Sequence, residues 1–145
     1  MIRRIRLLAP AFLLAACAAP MVGGAQDGSA SRQLWERQGI DDYRYTYSVV
    51  CFCPERGPVR VTVRDGGVAE VQPAADPNAR VAGGAQLQVL TVDEVFDRIE
   101  EAEANGTFTR IEYHPSLGYP TSAEIGTLAN DAGTVYQISE LEPLR

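Results

Sequence analysis

Residues 43–54 decide the fold of this chain, and they read YRYTYSVVCFCP. In the first half of this stretch, tyrosine alternates with arginine, threonine and serine, and a period of two is typical of a strand with one buried face. Tyr43, Tyr45 and Tyr47 are therefore predicted to share one face of an antiparallel strand. This stripe either packs beneath a helix, with its hydroxyls at the rim of the core, or binds a sugar or a peptide.

The residues that follow predict two further strands joined by a hairpin. Residues 58–64 read PVRVTVR, in which valines alternate with polar residues. Residues 65–67 read DGG and tolerate the positive φ angles of a tight turn, and residues 68–72 return as a third strand. Residues 73–88 are rich in proline, alanine and glycine and have no periodicity, so we expect a long loop there.

Residues 91–104 have the clearest helical periodicity. Thr91 and Glu94 have the spacing of a capping box, and Gly106 follows the last periodic residue as a stop signal. An apolar stripe runs along this helix and predicts the side that faces the sheet. The stripe consists of Val92, Val95, Phe96 and Ile99.

A shorter helix is predicted over residues 31–39, with Ser31 as its N-cap and Trp35 as a core anchor. Three more strands follow the second helix, over residues 108–113, 119–125 and 134–141. The order is thus helix, three strands, helix, three strands. We expect an α+β fold in which an antiparallel sheet of about six strands carries the helices on one face.

The amino-terminal residues predict export and lipid attachment. Residues 1–16 join three arginines to a short apolar segment, which is typical of a signal peptide and too short to span a bilayer. Residues 14–17, LAAC, resemble the lipobox of bacterial lipoproteins, in which the cysteine becomes the acylated first residue. Cys17 is therefore the expected lipid anchor, and the alternative is an ordinary secretory signal with an incidental cysteine.

This interpretation divides the chain into a signal peptide over residues 1–16, a flexible tether over residues 17–30 and a single domain over residues 31–145. The lipobox resemblance implies attachment to a membrane of the cell envelope. Ala18, in place of an aspartate, implies the outer membrane facing the periplasm if the source is a diderm bacterium.

Charge and composition exclude several classes of function. The formal net charge is −6, and an acidic chain repels nucleic acid. The only histidine, His114, precedes a proline in a predicted turn, and the sequence has neither a nucleophile elbow nor a glycine-rich phosphate loop. Three glutamates, Glu100, Glu101 and Glu103, are expected on the solvated side of their helix. We therefore expect no enzymatic activity, no cofactor and no metal site.

Cys51 and Cys53 remain as a pair once Cys17 is lipidated, and an oxidising compartment favours a disulfide between them. Residues i and i+2 of a regular strand lie about 6.5 Å apart, which is too far for a disulfide. The strand must therefore break there, and Pro54 allows it to do so. Two free thiols, or a metal or redox site that uses this pair, remain as alternatives.

Three motifs together resemble a family of small bacterial lipoproteins of unknown function. They read Y-x-Y-x-Y…C-F-C-P from residue 43, V-x-D-G from residue 63, and Y-x-P-x-x-G-Y-P from residue 113. The resemblance covers residues 35–141, and in that family an aspartate commonly occupies the position of His114. The helix and strand order is also similar to PepSY-like and β-lactamase-inhibitor-like domains, a resemblance of fold alone.

These features predict a lipid-anchored protein of the cell envelope that binds another protein or a ligand without catalysing a reaction. The alternative is a secreted enzyme inhibitor, or a thiol or metal protein that acts through Cys51 and Cys53. The expected partners are the membrane, through the lipid, and an envelope protein. The candidate binding surface consists of Tyr43, Tyr45, Tyr47, His114 and Tyr119.

Overall fold

The computed structural model describes residues 27–52, 58–77, 88–128 and 132–145. The predicted signal peptide, Cys17 and most of the predicted tether lie outside the described residues. Two helices and six strands occur in chain order. Their bounds are α1 Gly28–Gln38, β1 Tyr43–Cys51, β2 Val59–Arg64, β3 Gly67–Pro73, α2 Val92–Ala104, β4 Thr109–Tyr113, β5 Pro120–Ile125 and β6 Thr134–Pro143.

The six strands form one sheet in the order β3-β2-β1-β6-β5-β4, and every neighbouring pair is antiparallel. The tyrosine strand β1 lies between β2 and β6, near the middle of the sheet. The predicted α+β fold class and the order of its elements are confirmed.

Both helices cover the same face of the sheet. Every second residue is buried in β2 and in the first five residues of β1. These side chains form one core with the apolar stripe of α2 and with Trp35 of α1. Ala123 of β5 and Ile138 of β6 extend the same core. The intervening residues of the strands face the opposite side, which no described helix covers.

Helix α1 begins earlier than the sequence predicts. Its N-cap is Asp27, whose side chain accepts a hydrogen bond from the Ser29 backbone N–H at 3.1 Å. Ser31, the predicted cap, is instead a buried residue within the helix, and the first turn occupies positions assigned to the tether. Asp27 and Ser31 are equally good caps, so the sequence did not distinguish them. Gly39 ends the helix in the left-handed region, as predicted.

Helix α2 begins with the predicted capping box. The Thr91 hydroxyl accepts from the Glu94 N–H at 3.2 Å, and the Glu94 carboxylate accepts from the Thr91 N–H at 2.7 Å. Among the described residues, neither this helix nor α1 is long and apolar enough to cross a bilayer.

The two helices are tied to each other by polar contacts at the surface of the core. The Trp35 indole N–H donates to the Asp93 carboxylate at 3.2 Å. Arg32 forms ion pairs with Asp97 at 2.9 Å and with Glu100 at 2.8 Å, and its guanidinium lies over the Phe96 ring. These contacts hold α1 beside α2.

The remaining strands differ from their predicted bounds by one or two residues. Strands β4 and β5 each begin one residue later than predicted, and β6 continues two residues further, to Pro143. The predicted loop over residues 73–88 starts at the last residue of β3, and residues 78–87 lie outside the described ones.

We expect Phe96→Ala to lower the free energy of unfolding by about 3–5 kcal/mol, because it empties a buried aromatic site. Phe96 is 1% exposed and stacks on Tyr113 with ring centroids 6.1 Å apart. Chemical denaturation of the purified domain measures the change. Glu101→Ala, on the exposed side of the same helix, is the matched control and should change stability by less than about 0.5 kcal/mol. A loss below about 1 kcal/mol for Phe96→Ala would contradict the packing of α2 on the sheet.

Candidate binding surface

The tyrosine stripe is part of the core and does not form an exposed binding surface. Tyr43, Tyr45 and Tyr47 are 1%, 0% and 1% exposed. The stripe packs beneath a helix, as one of the two interpretations of the sequence predicts, but its hydroxyls are buried as well. In this structure the three side chains therefore offer no exposed surface to a ligand, because they lie in the core with the apolar side chains of α2.

Two of the tyrosine hydroxyls hydrogen-bond to the backbone where the chain enters α2. The Tyr45 hydroxyl donates to the Leu90 carbonyl, and the Tyr43 hydroxyl accepts from the Val92 N–H at 3.0 Å. A buried backbone group without a partner is costly, and Val92 is the first residue of the helix, whose N–H has no acceptor within the helix. The tyrosines thus supply partners that a purely apolar strand could not.

The third hydroxyl, that of Tyr47, is buried and has no hydrogen-bond partner among the described residues. Burial raises its pKa, as does the nearby Tyr136, while the Leu90 backbone partly offsets this.

His114 organises the turn between β4 and β5. Its Nδ1 accepts hydrogen bonds from the N–H groups of Ser116 at 3.3 Å and Leu117 at 3.1 Å, and its ring stacks on Tyr119 with centroids 4.9 Å apart. An aspartate carboxylate can accept the same pair of backbone donors. The aspartate that the family resemblance places here would do the same work, so the contacts of His114 are those of a turn residue.

Tyr119 is the predicted site residue that lies beside a cavity. It is 5% exposed, its ring meets Trp35 edge to face, and it forms part of the wall of a groove that opens on the side of the sheet away from the helices. Of the five predicted surface residues, the structure therefore brings His114 and Tyr119 together and separates both from the buried tyrosine stripe.

The side of the sheet away from the helices, here called the open face, is polar. Thr46 of β1 lies opposite Arg60 of β2, and Ser48 of β1 lies opposite Gln137 of β6. The same row continues through Ser122 of β5 to Glu112 of β4. The Ser48 hydroxyl donates to the Gln137 side-chain carbonyl at 2.9 Å. A row of hydroxyl, amide and carboxylate groups thus crosses the sheet from β1 to β4.

A groove of about 540 Å³, here called the β5–β6 groove, interrupts the open face. It exists because β5 and β6 separate: β5 pairs with β6 only over residues 134–137, whereas β6 continues to Pro143 and pairs there with β1 alone. The residues that line the groove include Ser48, Glu112, Tyr119, Thr121, Gln137 and Glu140.

Glu140 has an unusual backbone conformation beside this groove. Its φ is 53°, in the left-handed region that residues other than glycine rarely adopt. Glu140 also lies at an irregularity in the β1–β6 register. The bulge directs its carboxylate onto the open face, where the carboxylate accepts from the Thr46 hydroxyl at 2.8 Å and from Arg60 at 2.9 Å. Local strain of this kind is concentrated at functional sites.

The charges around the groove do not cancel. Glu140 is balanced by Arg60, and Glu124 by Arg110 at 3.3 Å. Glu112 forms no ion pair with any residue that the structure describes. The groove therefore carries an uncompensated negative charge on its β4 side.

A second depression, at the opposite end of β1, has its polar groups already engaged. It is lined by residues that include Asp41, Asp42 and Asp65. The Asp65 backbone N–H and the Arg64 guanidinium both donate to the Asp42 carboxylate and hold the pKa of that carboxyl below its usual range. Among the described residues, no group of three or more side chains has the arrangement of a metal site.

The cysteine pair is only half within the described part of the chain. Cys51 is the last residue of β1, and Cys53 and Cys17 lie outside the described residues. The break in the strand that the sequence predicts near Pro54 agrees with the end of β1. The pairing of Cys51 with Cys53 stays a prediction.

Comparison with known proteins identifies one family. The model of a family of unknown function, DUF6174, matches residues 27–143, from the N-cap of α1 to the last residue of β6. This agrees with the resemblance of the sequence motifs to a family of unknown function, and the match begins at Asp27. No curated protein and no solved structure matches the chain.

We expect Tyr47→Phe to leave stability unchanged or slightly higher, because it removes a buried hydroxyl that has no hydrogen-bond partner among the described residues. Tyr45→Phe, a chemically identical change one step along the stripe, should cost about 1–3 kcal/mol because it leaves the Leu90 carbonyl unpaired. Urea denaturation of the two variants provides the comparison. Equal losses in both would mean that the Tyr47 hydroxyl is hydrogen-bonded in solution.

Substitution of His114 separates its two contacts. His114→Asp keeps an acceptor for the Ser116 and Leu117 N–H groups, whereas His114→Phe keeps the ring that stacks on Tyr119. If the acceptor dominates, the phenylalanine variant loses about 1–2 kcal/mol and the aspartate variant loses less than half of that. Thermal and chemical unfolding measure both, and the reverse order would show that the ring stack holds the turn.

Proposed function

The chain belongs to the family of unknown function DUF6174, and we propose that it is a lipid-anchored, non-enzymatic module of the bacterial cell envelope that binds another protein through its open face. One observation carries the binding role: a six-stranded sheet has both described helices on one side and an uncovered polar row with a groove on the other. No described helix covers this face, and strained Glu140 lies on it.

The composition of the open face supports a protein partner. Its exposed residues combine hydroxyl and amide groups with charged side chains, as at the rims of transient protein interfaces. The buried aromatic residues and the single histidine are already used in the core and in a turn. The side chains on the open face can form hydrogen bonds and ion pairs, which suits the recognition of another protein.

The anchor is proposed from the sequence. Cys17 follows a signal-peptide pattern and ends a lipobox, and acylation with two or three chains holds a protein stably on a membrane. Nine residues lie between Cys17 and Asp27, so the ten steps from one Cα atom to the other span at most about 35 Å when extended. The domain would therefore be held near the membrane surface, at the outer membrane facing the periplasm in a diderm source.

We also propose that Cys51 and Cys53 form a structural disulfide in the exported protein. It would shape the loop that follows β1, and the closed loop is too small to add much stability through the unfolded state. Native protein should then contain no thiol that iodoacetamide modifies before reduction. Prompt alkylation of both cysteines would contradict this pairing and would favour the thiol alternative.

Replacement of Cys17 tests the anchor. Cys17→Ser should abolish incorporation of labelled palmitate and release the protein from the membrane fraction. The double variant Cys51→Ser/Cys53→Ser is the matched control, since it removes two cysteines that we do not expect to be acylated, and it should leave membrane association intact. Continued acylation of the Cys17→Ser protein would contradict the assignment.

Site-specific photocrosslinking in cells tests the binding role. A benzoylphenylalanine residue at Ser48 or at Thr62, both on the open face, should capture a discrete envelope protein. The same residue at Glu101, on the exposed side of α2, is the control and should capture little. The identity of the captured protein also decides between an assembly partner and an enzyme that the chain inhibits. Equal capture from Ser48 and Glu101 would contradict the open face as the contact surface.

A further inference from the structure

We propose that the β5–β6 groove binds an extended peptide segment that carries a lysine or arginine, and that this segment adds to β6 as a short strand. The proposal rests on the proposed binding function and specifies how one part of the open face recognises its partner. It requires a free strand edge, room for a peptide, and a reason for the positive charge.

The free edge is the second half of β6. Ile138, Ser139, Glu142 and Pro143 have ladder partners in β1, and the bulge at residues 140–141 lies between these pairs. None of these residues pairs with β5, because the β5 ladder ends at the Ser122–Gln137 pair. A strand presents hydrogen-bonding groups along both edges, so this part of β6 has one edge without a strand neighbour. Ser139 and Glu140 on this edge are exposed, so solvent and a peptide can reach it.

The β5–β6 groove provides the room for the peptide. Six residues of strand extend over about 20 Å at about 3.3 Å per residue, which is the length of a typical peptide that completes a sheet by strand addition. The far wall is formed by Tyr119 and Thr121, where the chain has left the β5–β6 ladder. A peptide in this position would lie between two walls that belong to the same sheet.

The bulge at Glu140 suits this role. The left-handed conformation of a residue with a side chain is unfavourable, and here it directs a carboxylate toward the groove while Thr46 and Arg60 hold that carboxylate in place. Main-chain hydrogen bonds along β6 would supply affinity, and the fixed carboxylate would supply selectivity.

The charge selects a basic segment. Glu112 lines the groove and has no cationic partner among the described residues, while Glu140 lines it from the β6 side. Arg44 and Glu142, which lie opposite each other on β1 and β6, add no net charge. A lysine or arginine of the peptide would find an unpaired carboxylate at Glu112.

The same charge argues against two other occupants. The tether over residues 17–30 contains no arginine, lysine or histidine, so it cannot supply the cation. A second copy of this chain carries a net charge of −6, and its approach to an acidic groove is opposed. The occupant that the charges favour is therefore a segment of a different protein.

Panning of a random-peptide phage library on the unlipidated mature chain, residues 17–145 with Cys17→Ser, tests the proposal. We expect enriched peptides to contain lysine or arginine among residues that favour strands. Amide hydrogen exchange should slow at Ser139, Glu140 and Leu141 when a synthetic copy of an enriched peptide is added. Enrichment without basic residues, or protection confined to the edge strands β3 or β4, would overturn the proposal.

Charge reversal gives an independent measurement. Glu112→Arg should weaken binding of that peptide on the order of tenfold, and Glu112→Gln should weaken it less. Glu101→Arg makes the same change of charge on α2 and should leave the affinity within about twofold. Unfolding curves check that each variant is folded, and equal affinities of Glu112→Arg and Glu101→Arg would overturn the proposal.

The experiments can reject peptide binding in the groove without rejecting protein binding through the wider open face. Capture of a protein from Thr62 in cells, together with no slowing of exchange along β6, would reject the groove and leave the binding function standing. Loss of capture from every open-face position would reject the binding function itself.

Discussion

The structure depends on the hydrogen bonds between the tyrosine hydroxyls of β1 and the backbone at the start of α2. Leu90, Thr91 and Val92 are all buried, so their polar backbone groups need partners inside the protein. Tyr45 and Tyr43 provide these partners, and the capping box satisfies further groups of the first helical turn. The helix is therefore fixed to the central strands at its amino-terminal end, and an all-valine strand of the same pattern would fill the volume without fixing the helix.

This attachment determines which side of the sheet is covered. Once α2 lies on the tyrosine side of the sheet, two residues of α1 hold α1 beside it. Trp35 donates a hydrogen bond to Asp93, and Arg32 forms ion pairs with Asp97 and Glu100. Both helices then lie on one face, and the alternate side chains of every strand face the other. Because the helices cover only one face, the side chains on the other face are polar. They provide the surface on which recognition is proposed.

The sequence predicts what periodicity and capping control, and it misses what depends on neighbouring strands. Alternation in residues 43–47 identifies the buried tyrosine face, and Thr91 with Glu94 identifies the start of α2. The pattern does not tell whether a tyrosine stripe is covered, because covered and exposed stripes alternate in the same way. The bulge at Glu140 has no signal in the sequence, since no glycine marks it and its cause is the pairing register with β1.

One end of the groove lies beside the turn that packs against α1. Gly118, with φ of 83°, lies so close to α1 that an added Cβ would be 2.3 Å from the Ser31 carbonyl oxygen and 2.9 Å from the Trp35 nitrogen. The turn after β4 is thus drawn against the helix, and the chain joins the β5–β6 ladder only at Ser122, three residues after Tyr119. Strand β6 keeps its β1 partner beyond that point and loses its β5 partner. The second half of β6 therefore has an edge that β5 does not cover, beside the groove that Glu112 and Glu140 line.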